Sequence, residues 1–191
     1  MDAGDPDRLI VAITGASGAI YGIRALVHLR RLARVETHLV VTAAARRTIA
    51  EETDWALADI VALADHCHHH GDVGAAIASG SFRARGMLVA PCSVKTLSAV
   101  ANCTDGDLVA RAADVCLKER RRVVLMLRET PLHAGHIALM ALATASGAIL
   151  MPPVPAFYRR PHTIEDVVDH SIGRALDLFG IDAGIVRRWG E

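Results

Sequence analysis

Apolar runs of strand length alternate with helix-length segments along most of this 191-residue chain. The first run, Leu9–Ile13, is rich in β-branched residues, as expected for a strand that is buried on both faces. Segments with helical spacing of apolar residues separate the runs, so each helix can cross back to the start of a parallel strand. The pattern predicts an α/β fold with a single doubly wound parallel sheet and helices on both faces. The predicted strands are Leu9–Ile13, Thr37–Val41, Met87–Ala90, Val123–Leu127 and Ala148–Met151.

The last predicted helix has the most clearly marked ends. Thr163-Ile-Glu-Asp166 follows Pro161 and resembles a capping box, and Gly180 favours the end of a helix. Because no internal repeat or low-complexity linker interrupts the chain, we predict one domain over residues 1–191, with residues 1–7 disordered. The predicted helices are Ala19–Leu32, Ala44–Glu51, Lys95–Ala101, Leu108–Glu119, Ile137–Ala145 and Thr163–Phe179.

The composition predicts a large aliphatic core and a balanced charge. Hydrophobic residues make up 52% of the chain, aromatic residues only 4%, and the mean hydropathy is +0.30. The 21 basic and 21 acidic residues give a formal net charge of zero, which argues against nucleic acid or an anionic membrane as partner. So much apolar surface on a small chain favours a homo-oligomer.

The sequence predicts a cytoplasmic protein without a membrane segment. Its apolar runs end before the roughly 18 to 20 residues that a membrane helix needs, and its acidic start, Met1-Asp-Ala-Gly-Asp5, is unlike a signal peptide.

The cysteines are far apart and form no C-x-x-C pair, so neither a disulfide framework nor a structural zinc site is indicated. They are Cys67, Cys92, Cys103 and Cys116.

A glycine turn follows the first strand. Gly15-Ala-Ser-Gly18 leads through Ala19 to Gly22, and its small residues would let the backbone approach a ligand closely. The N–H groups at the start of the following helix would then favour a phosphate. The spacing matches neither the dinucleotide fingerprint nor the nucleotide triphosphatase loop, so a tight turn without a ligand is the alternative.

Polar residues follow each predicted strand. Ligands of open parallel sheets bind outside the carboxyl ends of the strands, so these residues can share one site. Ser93 and Thr96 begin a helix, where they can cap it, bind an anion, or do both. Hydroxyl groups, helix starts and an arginine are typical of a mononucleotide pocket. The residues are Gly15, Ser17, Thr42, the turn Ser93-Val94-Lys95-Thr96, Arg128, Glu129 and Tyr158.

Two kinds of charged residue permit both a functional and a structural interpretation. Arg111 and Lys118 are seven residues apart and fall on one helix face, where they could clamp a second phosphate or form a solvated charged surface. Glu129 follows an apolar strand, so partial burial could make it an acid or base, or it could pair with Arg128. Glu52 is less distinctive and would ordinarily be a solvent-exposed helix end.

Two further segments are conspicuous. The run Asp65-His-Cys-His-His-His70 could suggest a metal site, but consecutive histidines point in different directions and lack a carboxylate at helical spacing. We therefore predict a solvated polar loop and no metal. The segment Met151–Pro161 contains several prolines that would present Phe157 and Tyr158 rigidly, either to a ligand or as part of a plain connector.

A series of ordered motifs resembles the UbiX/Pad1 family of flavin prenyltransferases from Arg8 to Glu191. The resemblance implies a flavodoxin-like, Rossmann-like domain that binds FMN without a metal and uses dimethylallyl monophosphate to make prenylated FMN for UbiD-type decarboxylases. It also implies a dodecamer with sites at subunit interfaces. The motifs are Thr14-Gly-Ala-Ser-Gly-Ala19, Glu52-Thr-Asp54, Ala78-Ser-Gly-Ser81, Pro91-Cys-Ser93, Lys95-Thr-Leu-Ser98, Arg111-Ala-Ala-Asp-Val115, Leu117-Lys-Glu-Arg120, Arg128-Glu129, Phe157-Tyr158 and Arg188-Trp-Gly-Glu191.

The resemblance also implies roles for individual residues. Ser17 and Glu52 would assist the closure of the new ring, Lys118 would stabilise the departing phosphate, and Glu129 would move a proton with Tyr158. The implied FMN-binding residues are Gly15, Ala16, Ser17, Thr42, Ser93, Val94, Lys95, Thr96 and Arg128. The implied residues for the prenyl donor are Arg111, Lys118, Glu129, Tyr158 and Arg174.

The chain departs from the family pattern after Pro131-Leu132. A small hydroxyl residue and an asparagine are common in the segment that here reads His133-Ala-Gly-His136-Ile-Ala-Leu-Met140, which puts the local pocket wall in doubt. An FMN-dependent cysteine decarboxylase is the alternative function, although the Pro-x-Met-Asn motif usual in such enzymes does not occur. A non-catalytic FMN-binding protein is a further alternative.

Overall fold

A computed structural model describes residues 7–186 of the chain. The motif Arg188–Glu191 and the first six residues of the segment predicted to be disordered lie outside this range. Asp7, the last residue of that segment, accepts hydrogen bonds from the guanidinium of Arg85, and its carbonyl accepts one from the Glu36 N–H at 2.7 Å. These contacts fix the entry of the chain into the sheet.

The predicted doubly wound parallel sheet is confirmed. All strand pairs are parallel, and the strand order in the six-stranded sheet is β3-β2-β1-β4-β5-β6. In this arrangement the order reverses between β1 and β4, where α/β proteins commonly bind ligands. The strands are β1 Arg8–Ile13, β2 Glu36–Val41, β3 His66–His69, β4 Gly86–Cys92, β5 Arg122–Leu127 and β6 Ile149–Leu150.

Helices cover both faces of the sheet and enclose two apolar cores. One core packs α1 and α7 against alternate residues of the strands, such as Leu9 and Val11, and the other packs α4 and α5 against Ile10 and Ala12. The alternation follows from the twofold repeat of side chains along a strand. The helices are α1 Ala19–Leu32, α2 Ala43–Glu52, α3 Leu57–Leu63, α4 Val94–Ala101, α5 Leu108–Lys118, α6 Ala134–Ala145 and α7 Ile164–Asp177. None of them combines the length and the apolarity that a membrane crossing requires.

The capping box predicted for the last helix is confirmed. The Thr163 hydroxyl accepts from the Asp166 N–H at 3.1 Å, and the Asp166 carboxylate accepts from the Thr163 N–H at 2.9 Å. These reciprocal bonds satisfy N–H groups that the helix itself cannot use. They fix the start of α7, which packs along α1.

The prediction of a solvated loop over the histidine run is wrong. Residues His66–His69 form the edge strand β3, paired with β2. The partly buried ring of His68 and the ring of His66 stack on buried His38 of β2, with ring centroids 5.3 and 4.6 Å apart. Ring packing on one side of the strand thus compensates for a sequence that lacks the usual apolar alternation. Helix α3, which precedes β3, was also not predicted.

The altered segment after Pro131 retains the start of α6. His133 is the N-cap residue of α6, and its Nδ1 accepts a hydrogen bond from the Gly135 N–H at 3.0 Å. The imidazole thereby takes over the N-cap role that a hydroxyl would have. Its ring packs against that of His136, with centroids 3.7 Å apart.

Candidate active site

A cavity of about 410 Å³ opens at the carboxyl ends of β1, β2, β4 and β5. It lies at the point where the strand order reverses, as expected for the ligand site of such a sheet. Its volume is within the usual range for a small-molecule pocket. The lining residues are Thr14, Gly15, Ala16, Ser17, Thr42, Ala43, Ala44, His70, Ser93, Val94, Lys95, Thr96, Asp107, Arg128 and Glu129.

Thr14 joins the two central strands at the floor of this cavity. Its buried hydroxyl donates to the Pro91 carbonyl at 2.8 Å and accepts from the Ser93 N–H at 2.9 Å. Its backbone N–H also donates to the Pro91 carbonyl, at 3.3 Å. A single side chain therefore holds the turn after β1 against the turn after β4.

Gly15 allows the start of α2 to approach the turn after β1. A Cβ atom at Gly15 would lie 2.3 Å from the Cβ of Ala44, a separation that real side chains do not adopt. The Thr42 hydroxyl caps α2 by accepting from the Ala45 N–H at 3.2 Å. The small side chains of this turn thus bring the N-terminus of a helix to the wall of the cavity.

A second helix begins on the other side of the cavity. The Ser93 hydroxyl caps α4 by accepting from the Thr96 N–H at 3.2 Å, and it lies 3.1 Å from the Thr96 hydroxyl. The capping role predicted for Ser93 is therefore confirmed. Since Ser93 and Thr96 also line the cavity, the same residues can cap the helix and present its positive dipole end to an anion.

The Glu52 side chain is exposed to solvent, but its carboxylate also contacts the glycine turn. Its carboxylate accepts a hydrogen bond from the Gly18 N–H at 2.7 Å. Gly18 precedes α1 and has a φ of 98°, a conformation that glycine adopts without strain. The prediction that the first N–H groups after the turn face a phosphate therefore does not hold for Gly18. Ser17, half-buried on the cavity wall, is the adjacent residue.

Charges of both signs surround the cavity. Lys95 and Arg128 contribute positive charge, whereas Asp107 and Glu129 contribute carboxylates. Asp107 is occupied as the cap of α5, where it accepts from the Ala110 N–H at 3.0 Å. The expectation that Glu129 is partly buried is wrong, because β5 ends at Leu127 and the Glu129 side chain is exposed. The exposed carboxylate accepts a hydrogen bond from the Thr130 N–H at 2.9 Å.

All the residues predicted to bind FMN line this cavity, but the prediction missed other members of its wall. Thr14, His70 and Asp107 are the missed polar members, and the His70 carbonyl accepts from the Leu108 N–H at 2.8 Å. His70 directly follows β3, so only recognition of that strand would place it at the carboxyl edge of the sheet. Asp107 has a visible capping signal, since it directly precedes the periodic helix α5.

Arg111 and Lys118 both lie on α5, as predicted, but this chain does not bring them to its own cavity. Arg111 is 3.2 Å from the Asp105 carboxylate and 3.3 Å from that of Asp114. Lys118 pairs with Glu119 at 2.5 Å, at the end of α5 that leads into Arg122 of β5. It therefore lies at the amino-terminal edge of the sheet, about 20 Å from the cavity by the length of one strand.

Tyr158 and Arg174 both lie near His170 of α7. The ring of Tyr158 packs edge-on against His170, with centroids 6.2 Å apart. Burial lowers the pKa of His170, and the neighbouring charges of Arg159 and Arg174 lower it further. Arg174 is one turn beyond His170 and pairs with Asp177 at 2.9 Å. Tyr158 is 60% exposed, so this cluster faces outward from the chain that carries it.

The model of the flavoprotein family matches residues 3–174. A flavin prenyltransferase UbiX from Thauera aromatica is 57% identical over 182 residues, which cover 95% of this chain and 93% of that protein. The chain belongs to the flavoprotein family, among the UbiX flavin prenyltransferases. A crystal structure of AnUbiX (PadA1) in complex with FMN and dimethylallyl pyrophosphate matches with a TM-score of 0.95 and 51% identity, over 98% of this chain and 99% of that one.

A second solved structure describes the assembly of a UbiX relative. The dodecameric FMN-dependent UbiX-like decarboxylase from Escherichia coli O157:H7 matches with a TM-score of 0.94 and 46% identity, over 96% of this chain and 100% of that one. The agreement extends over almost the whole fold of these UbiX proteins.

Proposed function

We propose that this chain is a flavin prenyltransferase that transfers the dimethylallyl group of dimethylallyl monophosphate to N5 and C6 of reduced FMN. The product, prenylated FMN, then serves a UbiD-type decarboxylase. The observation that carries the proposal is the cavity at the strand ends, which unites every predicted FMN-binding residue in a chain of the UbiX family. This membership also favours prenyl transfer over the cysteine decarboxylase and non-catalytic alternatives.

The residues of the cavity fit FMN. Gly15 removes a side chain where α2 approaches, and the starts of α2 and α4 offer N–H groups to a phosphate. The first turns of both helices, which lie within the described residues, carry no carboxylate that would repel an anion. Lys95 and Arg128 add positive charge. We assign FMN binding to these residues together with Ala16, Ser17, Thr42, Ser93, Val94 and Thr96.

Reduced FMN supplies the nucleophilic atoms of the reaction. The chain's own part is to orient the two reactants, exclude water and place proton-transfer groups. We assign proton transfer at the glycine turn to Ser17 and Glu52, which flank Gly18. The Gly18 N–H fixes one carboxylate oxygen of Glu52, so the other can accept a proton from the reacting centre.

We further propose that the clamp for the donor phosphate is assembled between copies of the chain. Glu129 is at the cavity, whereas the other residues lie on outer surfaces: Arg111 and Lys118 on α5, Arg174 on α7, and Tyr158 on the turn Phe157–Arg159, which packs against α7. A homo-oligomer, which we take to be a dodecamer like the Escherichia coli relative, can bring these surfaces to a neighbour's cavity. Their cationic groups would stabilise the charge that gathers on phosphate as the carbon–oxygen bond breaks.

The role of the flavin can be tested by following phosphate release. The protein is incubated anaerobically with dimethylallyl monophosphate and reduced FMN, and inorganic phosphate is measured over time. We expect release only with reduced FMN, and oxidised FMN serves as the matched control. Equal release with either form, or none with reduced FMN bound, would contradict the proposal.

The free cysteines Cys67, Cys92, Cys103 and Cys116 support our proposal that the reaction takes place in the cytoplasm.

A further inference from the structure

A second polar cluster occupies the amino-terminal edge of the sheet, opposite the FMN cavity. Glu36 and His38 are two residues apart on β2, so their side chains share one face. His66 of β3 is the register partner of His38 and brings a second imidazole to the same face. Edge-strand pairing thus brings the imidazole of His66 to a carboxylate and an imidazole of β2 that are distant from it in sequence.

The ligand atoms of this cluster are close enough to share one ion. The Glu36 Oε1 atom lies 2.9 Å from His38 Nε2 and 3.3 Å from His66 Nε2. One ligand atom from each of the three residues lies within 4.8 Å of the others. Ligand atoms bound tetrahedrally to Zn²⁺ at 2.0–2.1 Å lie about 3.3 Å from one another. Shifts of less than about 1 Å in the three side chains would therefore place their ligand atoms around one ion.

His68 orients the central imidazole. Its Nε2 lies 3.0 Å from His38 Nδ1, which leaves His38 Nε2 directed at Glu36. The ring of Phe82 packs edge-on against His38 at 4.8 Å, and the His38 side chain is only 5% exposed. Hydrogen bonding to the second ring nitrogen and close packing are the devices that orient metal-binding histidines.

The cluster is open to solvent, and the guanidinium of Arg8 opposes the binding of a cation. Glu36 and His66 line a cavity of about 550 Å³ between the end of α1 and the start of β2, through which an ion can enter. The Nε of Arg8 donates to Glu36 Oε1 at 3.0 Å. The guanidinium therefore competes with a bound cation for this oxygen, and its removal should strengthen cation binding.

We propose that Glu36, His38 and His66 form a binding site for a divalent transition cation, with Zn²⁺ as its best match. Two imidazoles and one carboxylate are the ligand set of several zinc centres, whereas Mg²⁺ and Ca²⁺ prefer oxygen ligands alone. The site would be distinct from the FMN cavity, which is at the other edge of the sheet. A bound ion would link the edge strand β3 to β2, so it should also stabilise the folded chain.

The test uses the full-length chain without a histidine tag, stripped of metal by a chelator and then titrated with Zn²⁺ by calorimetry and with Co²⁺ by visible absorption. We expect one equivalent of either metal per chain and a higher unfolding temperature with Zn²⁺. Exposed His66→Ala should weaken binding at least tenfold, and Glu36→Gln should do the same. Arg8→Gln should tighten binding severalfold, an effect that loss of a structural ion pair would not produce.

His69→Ala is the matched control, because His69 lies on the opposite face of β3. It should leave the affinity for both metals unchanged. Flavin binding by each variant reports whether the chain remains folded. The proposal is overturned if the parent chain binds less than one equivalent at micromolar metal, or if His69→Ala lowers the affinity as much as His66→Ala. Loss of binding in His133→Ala, with binding retained in His66→Ala, would place the metal at the start of α6 and would also overturn it.

Discussion

The Glu52 carboxylate accepts a hydrogen bond from the Gly18 N–H at 2.7 Å, although 34 positions separate the two residues. The contact ties the end of α2 to the turn before α1. It also brings a glutamate at a helix end, which its local sequence does not distinguish, to the glycine turn. The residue before Gly18 is Ser17, which lines the cavity.

Glu52→Gln is expected to retain FMN and lose turnover. The amide oxygen can still accept from Gly18, but the side chain can no longer take up a proton. Turnover should fall at least about a hundredfold, the usual scale of general acid–base catalysis, while the Kd for FMN changes less than about threefold. Single-turnover kinetics and flavin fluorescence measure the two quantities. Glu51→Gln removes a charge at the neighbouring, exposed position and should alter neither, so equal losses in both variants would contradict the role.

Gly15→Ala is expected to displace the start of α2 and weaken FMN binding at least about tenfold. The added Cβ would lie 2.3 Å from the Ala44 Cβ, and overpacking of this kind costs about 1–3 kcal/mol. Gly106→Ala is the control, because no atom lies within 4 Å of the corresponding Cβ. Flavin titration and denaturant unfolding of both variants check the prediction. Unchanged FMN affinity in Gly15→Ala would show that the close approach is not needed for binding.

The ion pair between α1 and α7 should make stability depend on acid pH. Arg24 donates to both carboxylate oxygens of Asp169, at 2.7 and 2.5 Å. Burial alone would raise the pKa of Asp169, but the hydrogen bonds from Arg24 and His28 lower it overall. Its contribution to the free energy of unfolding is therefore fully present above the unfolded pKa of about 3.9 and lost as the pH falls through the lower folded value.

Asp169→Asn should accordingly lower the free energy of unfolding by about 2 kcal/mol at pH 7 and by much less below pH 3. Urea unfolding at both pH values measures the difference. Asp59→Asn, at the start of α3, serves as a matched neutralisation elsewhere on the chain. A loss for Asp169→Asn that is the same at both pH values would show that packing, rather than the charge, links the two helices.

Mixed oligomers can test whether the donor clamp comes from a neighbouring copy. Lys118→Met and Glu129→Gln should each abolish turnover, because the first removes a clamp cation and the second a group at the cavity. Unfolding and refolding the two variants together should restore roughly a quarter of the parent activity, since one random pairing in four combines two intact halves. Mixtures as inactive as either variant alone would place both residues in one chain's site.

The sheet and its carboxyl edge were predictable because β1, β2, β4 and β5 are apolar runs, followed by hydroxyl residues after the first three and by Arg128 and Glu129 after β5. The edge strand β3 was not, since His66 and His68 pack on the ring of His38 of β2 and the strand lacks an apolar pattern of its own. The position of Lys118 relative to the cavity was equally unpredictable from the sequence. Helical spacing predicts that it shares a face with Arg111, but only the tertiary path of α5 shows that it lies at the opposite edge from the cavity.

Mass spectrometry of the flavin extracted after reaction tests the central claim most directly. The protein is incubated anaerobically with reduced FMN and dimethylallyl monophosphate and then denatured, and the mass of the released flavin is measured. We predict a flavin heavier than FMN by one dimethylallyl unit, and ordinary FMN when the donor is omitted. Recovery of unmodified FMN from protein that had bound both reactants would contradict the assignment as a flavin prenyltransferase.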